Sequence, residues 1–362
     1  MLSKSSMSHT LLITGGAGFI GSHTAIGLKQ RYPRWDITAF DNLSKRGSVL
    51  NRERLSAHGI RFVEGDCRTK KDYEKVHIVP SVIIHAAADP SVLSGLAGDA
   101  AEVVDNNLTG SLQCFEYARQ CGAGVISLSS SRIYPVNRLN SLPMEEKETR
   151  FGLLSAKATA GVSESGISEN FPTGGARTFY GSSKLAAELF LGEYSVFYGI
   201  KNIINRFGVV SGPWQMGGSG YGFIVYWMAM HLRKKPLKYL SFGGKGKQVR
   251  DVLHVNDLVN LLDCQIHHLP MLSGEIMNAG GGLSNSISLQ ELSALCRELT
   301  GNTVPVEESA EERPGDIKLY ISDNSKVTKL TGWKPSIPVR KTVEDVYKWL
   351  TGHEKELEGI IF

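Results

Sequence analysis

The stretch RTFYGSSKLAAE, residues 177–188, sets Tyr180 four residues before Lys184 at the opening of an amphipathic run. In a helix that spacing puts both side chains on one face. A free phenol loses its proton near pH 10, so a tyrosine serving as a base near neutrality must be acidified by about three pH units, worth about 4 kcal/mol. A neighbouring cation supplies about one to three of these units, so the Lys184 ammonium is expected to make Tyr180 acidic. A base of this kind also needs a donor to steady the substrate oxygen. The segment ISLSSSRIY (residues 126–134) offers Ser129, Ser130 and Ser131 at a strand end. The plainer reading is an exposed lysine one turn beyond a half-buried tyrosine. Against it stands position: this Y-x-x-x-K is the only one among 12 tyrosines, and it opens a helix after a loop, behind a glycine-rich turn.

That turn is LLITGGAGFIGSH, residues 11–23. It satisfies G-x-G-x-x-G through Gly16, Gly18 and Gly21, and G-x-x-G-x-x-G through Gly15, Gly18 and Gly21. A short apolar strand precedes it and a helix follows, as a pyrophosphate cradle requires: a tight turn, backbone with no Cβ in the way, and bare N–H groups at a helix start. Asp41 follows Gly21 by 20 residues, at the end of the next strand. A carboxylate there holds both ribose hydroxyls and repels a 2′-phosphate, so NAD is expected over NADP. Lys45 and Arg46 close by soften that preference. The positive ring of a bound NAD⁺ would add to Lys184 in acidifying Tyr180.

These residues need a scaffold. Strand-like runs at Leu11–Thr14, Asp36–Phe40, Arg61–Glu64, Val82–Ala86, Val125–Leu128 and Ile200–Asn205 alternate with helical periodicity at Ser22–Arg31 and Asn107–Gln120. Such alternation implies parallel pairing through crossover helices, hence an α/β, Rossmann-type doubly wound sheet. Beyond Gly208 glycine and proline thicken and strands shorten. Residues 1–210 are expected to form the nucleotide-binding domain, with 251–280 (helical Val255–Gln265, strand-like Glu275–Asn278) returning to it. Residues 211–250 and 281–362 are expected to form a smaller C-terminal substrate-binding domain. Gly152–Gly175, rich in Gly, Ser and Ala, reads as a long functional loop entering beside Tyr180.

Bulk properties narrow the classes. The 362 residues carry 41% apolar and 21% charged side chains and a net charge of +4 with both signs mixed, which argues against a nucleic-acid partner. Five cysteines without a C-x-x-C pair argue against a disulfide framework and a zinc site. The polar start MLSKSSMSHT is no signal peptide, and the apolar run Phe223–Leu232 is too short for a bilayer, so a soluble cytoplasmic protein is expected.

Taken together, TGGAGFIGSH, DNLS, EGD, IIHAAA, NNLTGS and YGSSK, in this order, resemble the extended short-chain dehydrogenase/reductase family, specifically its nucleotide-sugar epimerases and dehydratases. Within it, DNLSKRGS, GPWQMG, GKQVRDVLHVNDL and NAGGGLSNSISLQEL are similar to the branch of CDP-paratose (CDP-tyvelose) 2-epimerases. The resemblance implies catalytic Ser130, Tyr180 and Lys184. It implies NAD held by Gly15, Gly18, Phe19, Ile20, Gly21, Asp41, Asn42, Ser44, Arg46, Asp66, Cys67, Ala87, Ala88, Asn107, Ser129, Tyr180 and Lys184. It implies a nucleotide-sugar substrate touched by Ser130, Gln215, Arg250 and Arg313, no metal, and a homodimer through helices near 100–120 and 181–198. Dehydratases of the family follow the catalytic hydroxyl with an Asp-Glu pair; Ser131 and Arg132 stand there, which disfavours elimination. Val209 replaces an asparagine that touches substrate in many relatives. A CDP-sugar 2-epimerase is the leading reading. A UDP-sugar 4-epimerase or decarboxylase, and a non-catalytic NAD-binding regulator, remain open.

Overall fold

The computed structural model of the protein describes residues 9–96, 98–154, 159–218 and 220–362. The polar N-terminal stretch 1–8 and residues 155–158 of the Gly152–Gly175 segment lie outside the described residues.

Seven strands form the central sheet: β1 (Thr10–Thr14), β2 (Asp36–Asp41), β3 (Arg61–Glu64), β4 (Val82–His85), β5 (Gly124–Ser130), β6 (Asn202–Phe207) and β7 (Glu275–Ala279). All pairs are parallel, in the order β3-β2-β1-β4-β5-β6-β7. The inner strands are apolar on both faces because helices cover both. On one face α1 (Phe19–Arg31) packs with α4 (Val255–His268), burying Leu11, Ile13, Ile26, Leu258 and Leu262. On the other, α2 (Gly110–Cys121) packs with α3 (Phe179–Tyr198) over Leu12, Ile83, Phe115 and Leu191. The strand order reverses between β1 and β4, and the crevice outside the carboxyl ends there is where such sheets bind ligands.

The chain leaves the sheet after β6 and returns for β7. Between and beyond, Val249–His254 centres a second sheet, parallel to Val209–Ser211 and Leu319–Tyr320 and antiparallel to Ser286–Ser288. A separate apolar cluster around Trp227, Met228, Val343 and Trp349 supports it.

Three local differences from the sequence reading have physical causes. The first helix begins at Phe19 rather than Ser22, because the glycine turn closes directly into it: Gly18 N–H donates to Gly15 O at 2.9 Å. The run expected as one helix over Asn107–Gln120 opens instead with a π-helical turn, Asp105–Thr109, before α2. Such turns reposition side chains near functional sites, and here the turn buries Asn107. The segment read as a long loop is partly paired: Met144–Glu146 with Phe151–Leu153, and Val162–Ser163 with Gly166–Ile167. Its second hairpin is pinned by buried Ile167, whose N–H donates to Ile321 O at 2.8 Å and whose carbonyl accepts Asp323 N–H at 2.9 Å. Gly166 permits this contact: at φ +126°, a Cβ there would lie 2.3 Å from Ile321 O.

Candidate active site

The glycine turn between β1 and α1 is closed against β4. A Cβ on Gly15, which has φ +67°, would sit 2.7 Å from Ala87 N, and one on Gly21 would sit 2.1 Å from Gly15 O. No side chain caps α1, so its first N–H groups remain open toward the crevice. Asp41 ends β2 beside them. Its Oδ2 accepts Ala17 N–H at 3.1 Å and its Oδ1 accepts Leu43 N–H at 2.8 Å, which fixes the carboxylate next to the turn. Burial pushes its pKa up, against the pull of these backbone donors. A side-chain-free cradle, an uncapped helix start and a carboxylate one strand away fit the pyrophosphate and ribose of a dinucleotide.

The other residues expected around the cofactor line the same ends. Asn42 donates to Asp66 Oδ2 at 3.0 Å, and Arg68 grips the same carboxylate at 2.7 Å, holding Asp66 down to about 2. Cys67 is buried in the apolar layer below, its thiol raised to about 12 by that burial. Ser44 and Arg46 are exposed. Lys45, expected to weaken the choice of NAD, pairs with Asp89 at 3.1 Å. Asn107 works from beneath: its Oδ1 accepts Asp89 N–H at 2.7 Å and its Nδ2 donates to Ser183 Oγ at 3.2 Å, tying the segment after β4 to α3.

At the end of β5, Ser130 Oγ accepts Arg132 N–H at 3.2 Å, capping the short turn Ser131–Ile133. That leaves its own proton free to donate. Tyr180 is the neighbour on which the Ser130 hydroxyl acts. It sits in the first turn of α3, whose cap Thr178 accepts Gly181 N–H at 3.3 Å. Gly181 lets α3 lie against the turn after β5, since a Cβ there would be 2.1 Å from Arg132 O. Lys184, one turn on, is buried and donates from Nζ to Leu128 O at 2.8 Å.

The electrostatics differ from the expectation in one respect. Burial lowers Lys184 to about 8, with Glu188 resisting, and burial raises the Tyr180 phenol. The groups that oppose this rise are the Ser130 hydrogen bond and then the charge of Arg132, while Asp89 reinforces it. Arg132, a residue the sequence reading used only as a missing acid, thus adds its charge to the surroundings of Tyr180. Its Nη1 donates to Gly315 O at 3.1 Å, and its charged neighbours include Arg250, Asp316 and Arg313. Arg250 pairs with Asp316 at 2.7 Å, and Arg313 reaches Gly220 O at 3.3 Å. Gln215 is engaged within its own turn, donating to Val210 O at 3.0 Å and accepting from Ser211 Oγ at 2.8 Å.

Behind the site lies a second feature absent from the sequence reading. Glu188 on α3 and Arg206 on β6 form a buried ion pair at 2.7 Å, with side-chain exposures of 3% and 8%. Ser129 Oγ donates to the same carboxylate, so this hydroxyl faces away from Ser130 and into the pair. Arg206 also donates to Tyr134 OH at 3.3 Å, and that hydroxyl donates to Asn278 Oδ1 at 2.8 Å. The pair therefore locks β5, β6, β7 and α3 together under Tyr180 and Lys184. Among the described residues no group of His, Cys, Asp and Glu is arranged to hold a metal ion, and no helix is long and apolar enough to cross a membrane.

Known proteins are similar to this chain over nearly its whole length. The chain is 28% identical to the CDP-paratose 2-epimerase of Salmonella typhi over 94% of its length and 98% of that protein's. It is 29% identical to the UDP-glucose 4-epimerase of Erwinia amylovora, covering 94% of this chain and 97% of the other. Among solved structures, the Thermus thermophilus UDP-glucose 4-epimerase in complex with NAD superposes with a TM-score of 0.74 at 26% identity, covering 95% of this chain and 99% of that one. The sequence profile of the NAD dependent epimerase/dehydratase family matches residues 11–280. With that match spanning most of the chain, and with the cradle and carboxylate it requires in place, the protein belongs to the NAD dependent epimerase/dehydratase family.

Proposed function

We propose that the protein epimerises a nucleotide-diphosphate sugar, most specifically a CDP-sugar at C2, by oxidising one sugar carbon to a ketone and reducing it from the opposite face. What supports this reading most is that Ser130 at the end of β5 acts on Tyr180 in the first turn of α3, with Lys184 buried one turn on. NAD, held by Gly15, Gly18, Phe19, Ile20, Gly21, Asp41 and their neighbours, supplies the acceptor and donor of hydride. Tyr180 Oη takes the proton from the sugar hydroxyl and later returns it. Ser130 Oγ–H donates to that same oxygen and holds it in line. Arg250 and Arg313 grip the diphosphate through paired, charge-assisted hydrogen bonds. Replacement of the dehydratase Asp-Glu pair by Ser131 and Arg132 supports epimerisation over elimination.

The base and carbon rest on the similarity to the Salmonella enzyme; the Erwinia enzyme, equally similar, supports a UDP-sugar 4-epimerase as the second reading. Residues 1–210 with 251–280 serve the cofactor in this reading, and 211–250 with 281–362 serve the sugar nucleotide. The exposed apolar side chains Leu189, Phe190, Val196 and Phe197 on α3 support a homodimer through that helix. The reading places the enzyme in the cytoplasm with its nucleotide-sugar pool.

The test is an NMR assay of CDP- and UDP-hexoses with wild type and Tyr180→Phe. Wild type should interconvert a C2 epimer pair without net NADH. Tyr180→Phe should lose about 100- to 10,000-fold in kcat with NAD still bound. Stoichiometric NADH, or a Tyr180→Phe variant as fast as wild type, refutes the proposal.

A further inference from the structure

Arg132 occupies an unusual place. Its backbone carbonyl lies against Gly181, beside Tyr180, while its guanidinium reaches across to Gly315 in the ERPGD segment that also carries Arg313 and Asp316. Asp316 is already paired with Arg250. Asp251, which also faces Arg250, has its Oδ2 taken by the N–H groups of Gly282 and Ser322. Three guanidinium groups, Arg132, Arg250 and Arg313, thus gather around two carboxylates, Asp316 and Asp251. Arg132 is the member whose charge acts on both Tyr180 and the other two arginines. Guanidinium groups gathered in this way offer an anion paired, charge-assisted hydrogen bonds.

We propose that Arg132 grips the sugar-side phosphate of the substrate directly beside Tyr180, and that this contact determines the carbon inverted. The anomeric carbon carries that phosphate. C2 is bonded to the anomeric carbon, whereas C4 lies across the ring. An anion held by the residue that adjoins the phenol therefore presents the C2 hydroxyl to Tyr180 Oη and holds O4 away. A site selecting C4 needs the phosphate grip one sugar ring away from the phenol. The argument rests on the sugar-nucleotide epimerase reading and adds to it the residue that selects the position.

The test separates grip from chemistry. CDP, UDP and CMP are titrated calorimetrically onto the NAD-loaded wild type, Arg132→Met and Arg132→Lys, with melting temperatures recorded alongside. In Arg132→Met the better-bound diphosphate should weaken about 30-fold or more, while CMP, which lacks the second phosphate, should change less than about threefold. Arg132→Lys should recover most of the diphosphate affinity and some turnover, which a merely structural role would not do. The acid limb of kcat/KM in Arg132→Lys should stay with wild type. Equal loss of CMP and CDP binding, or no loss of either, overturns the proposal. So does a wild type that inverts C4. A wild type that binds UDP in an Arg132-dependent manner and inverts C2 of a UDP-sugar refutes the base assigned above while supporting the role of Arg132.

Discussion

Glu188→Gln probes the support beneath Tyr180 and Lys184. In the folded protein the Glu188 carboxylate accepts Arg206 Nη2 at 2.7 Å and Nε at 3.0 Å, with almost no solvent reaching either side chain. Glutamine preserves the volume and one acceptor oxygen but removes the charge. Arg206 is then left buried against the Tyr134 ring, 5.5 Å from its centroid, without an anion. Breaking a buried pair in this way costs about 3–5 kcal/mol, and the retained acceptor points to the lower end. A second consequence reaches the site. Burial lowers Lys184 to about 8, and Glu188 is the group that resists this fall. Without the carboxylate, Lys184 loses its proton below pH 8. Because the folded pKa lies beneath the unfolded value near 10.5, the unfolded chain binds more protons between the two, and stability rises with pH across that window. In the variant the window opens lower. The assay is urea unfolding followed by circular dichroism at pH 7 and pH 9.5, paired with the pH profile of kcat/KM. A loss of about 3 kcal/mol at pH 7 and an alkaline limb moved to lower pH are expected. A variant within about 1 kcal/mol of wild type, with an unmoved alkaline limb, refutes the reasoning.

Three further predictions follow from particular contacts. Gly21→Ala puts a Cβ against Gly15 O, so the turn must open; NAD retention through gel filtration should be lost, at a stability cost of about 1–3 kcal/mol in the melt. Asp41→Ser removes the carboxylate that is fixed by Ala17 and Leu43 N–H, so NADP⁺ should gain on NAD⁺ by about tenfold or more in fluorescence titration, whereas wild type should prefer NAD⁺. Val196→Asp with Phe197→Asp charges the exposed end of α3, whose side chains are 77% and 72% exposed; sedimentation should shift from dimer to monomer, and a wild type that sediments as a monomer at micromolar concentration removes the dimer from the proposal.

What could be read in the chain, and what could not, divides by range. The glycine turn and Asp41 were legible because backbone close approach forces the residue type at each position: no side chain fits at Gly15 or Gly21. Tyr180 and Lys184 were legible because helix spacing couples them locally. Their electrostatics were not, since Lys184 is oriented by the Leu128 carbonyl, 56 positions away, and Tyr180 by Ser130 and Arg132 on another element. Glu188 and Arg206 carry no local signature: they are 18 residues apart on a helix and a strand, and only packing makes them a pair. Gln215, which the resemblance assigns to the substrate, has both ends of its amide bonded within its own turn, a contact with no sequence signature. The short pairing at Val162–Ile167 was not legible from composition, for it is held where Ile167 and Asn278 meet across more than a hundred residues.

The strand β6 ends at Phe207, and after the single residue Gly208 the chain enters Val209–Ser211 of the second sheet. Likewise Val249–His254 of that sheet runs without a spacer into α4, which covers the first. The two halves are thus spliced by continuous secondary structure and have no linker about which to swing. Heating or denaturant should therefore dismantle both halves in one cooperative step.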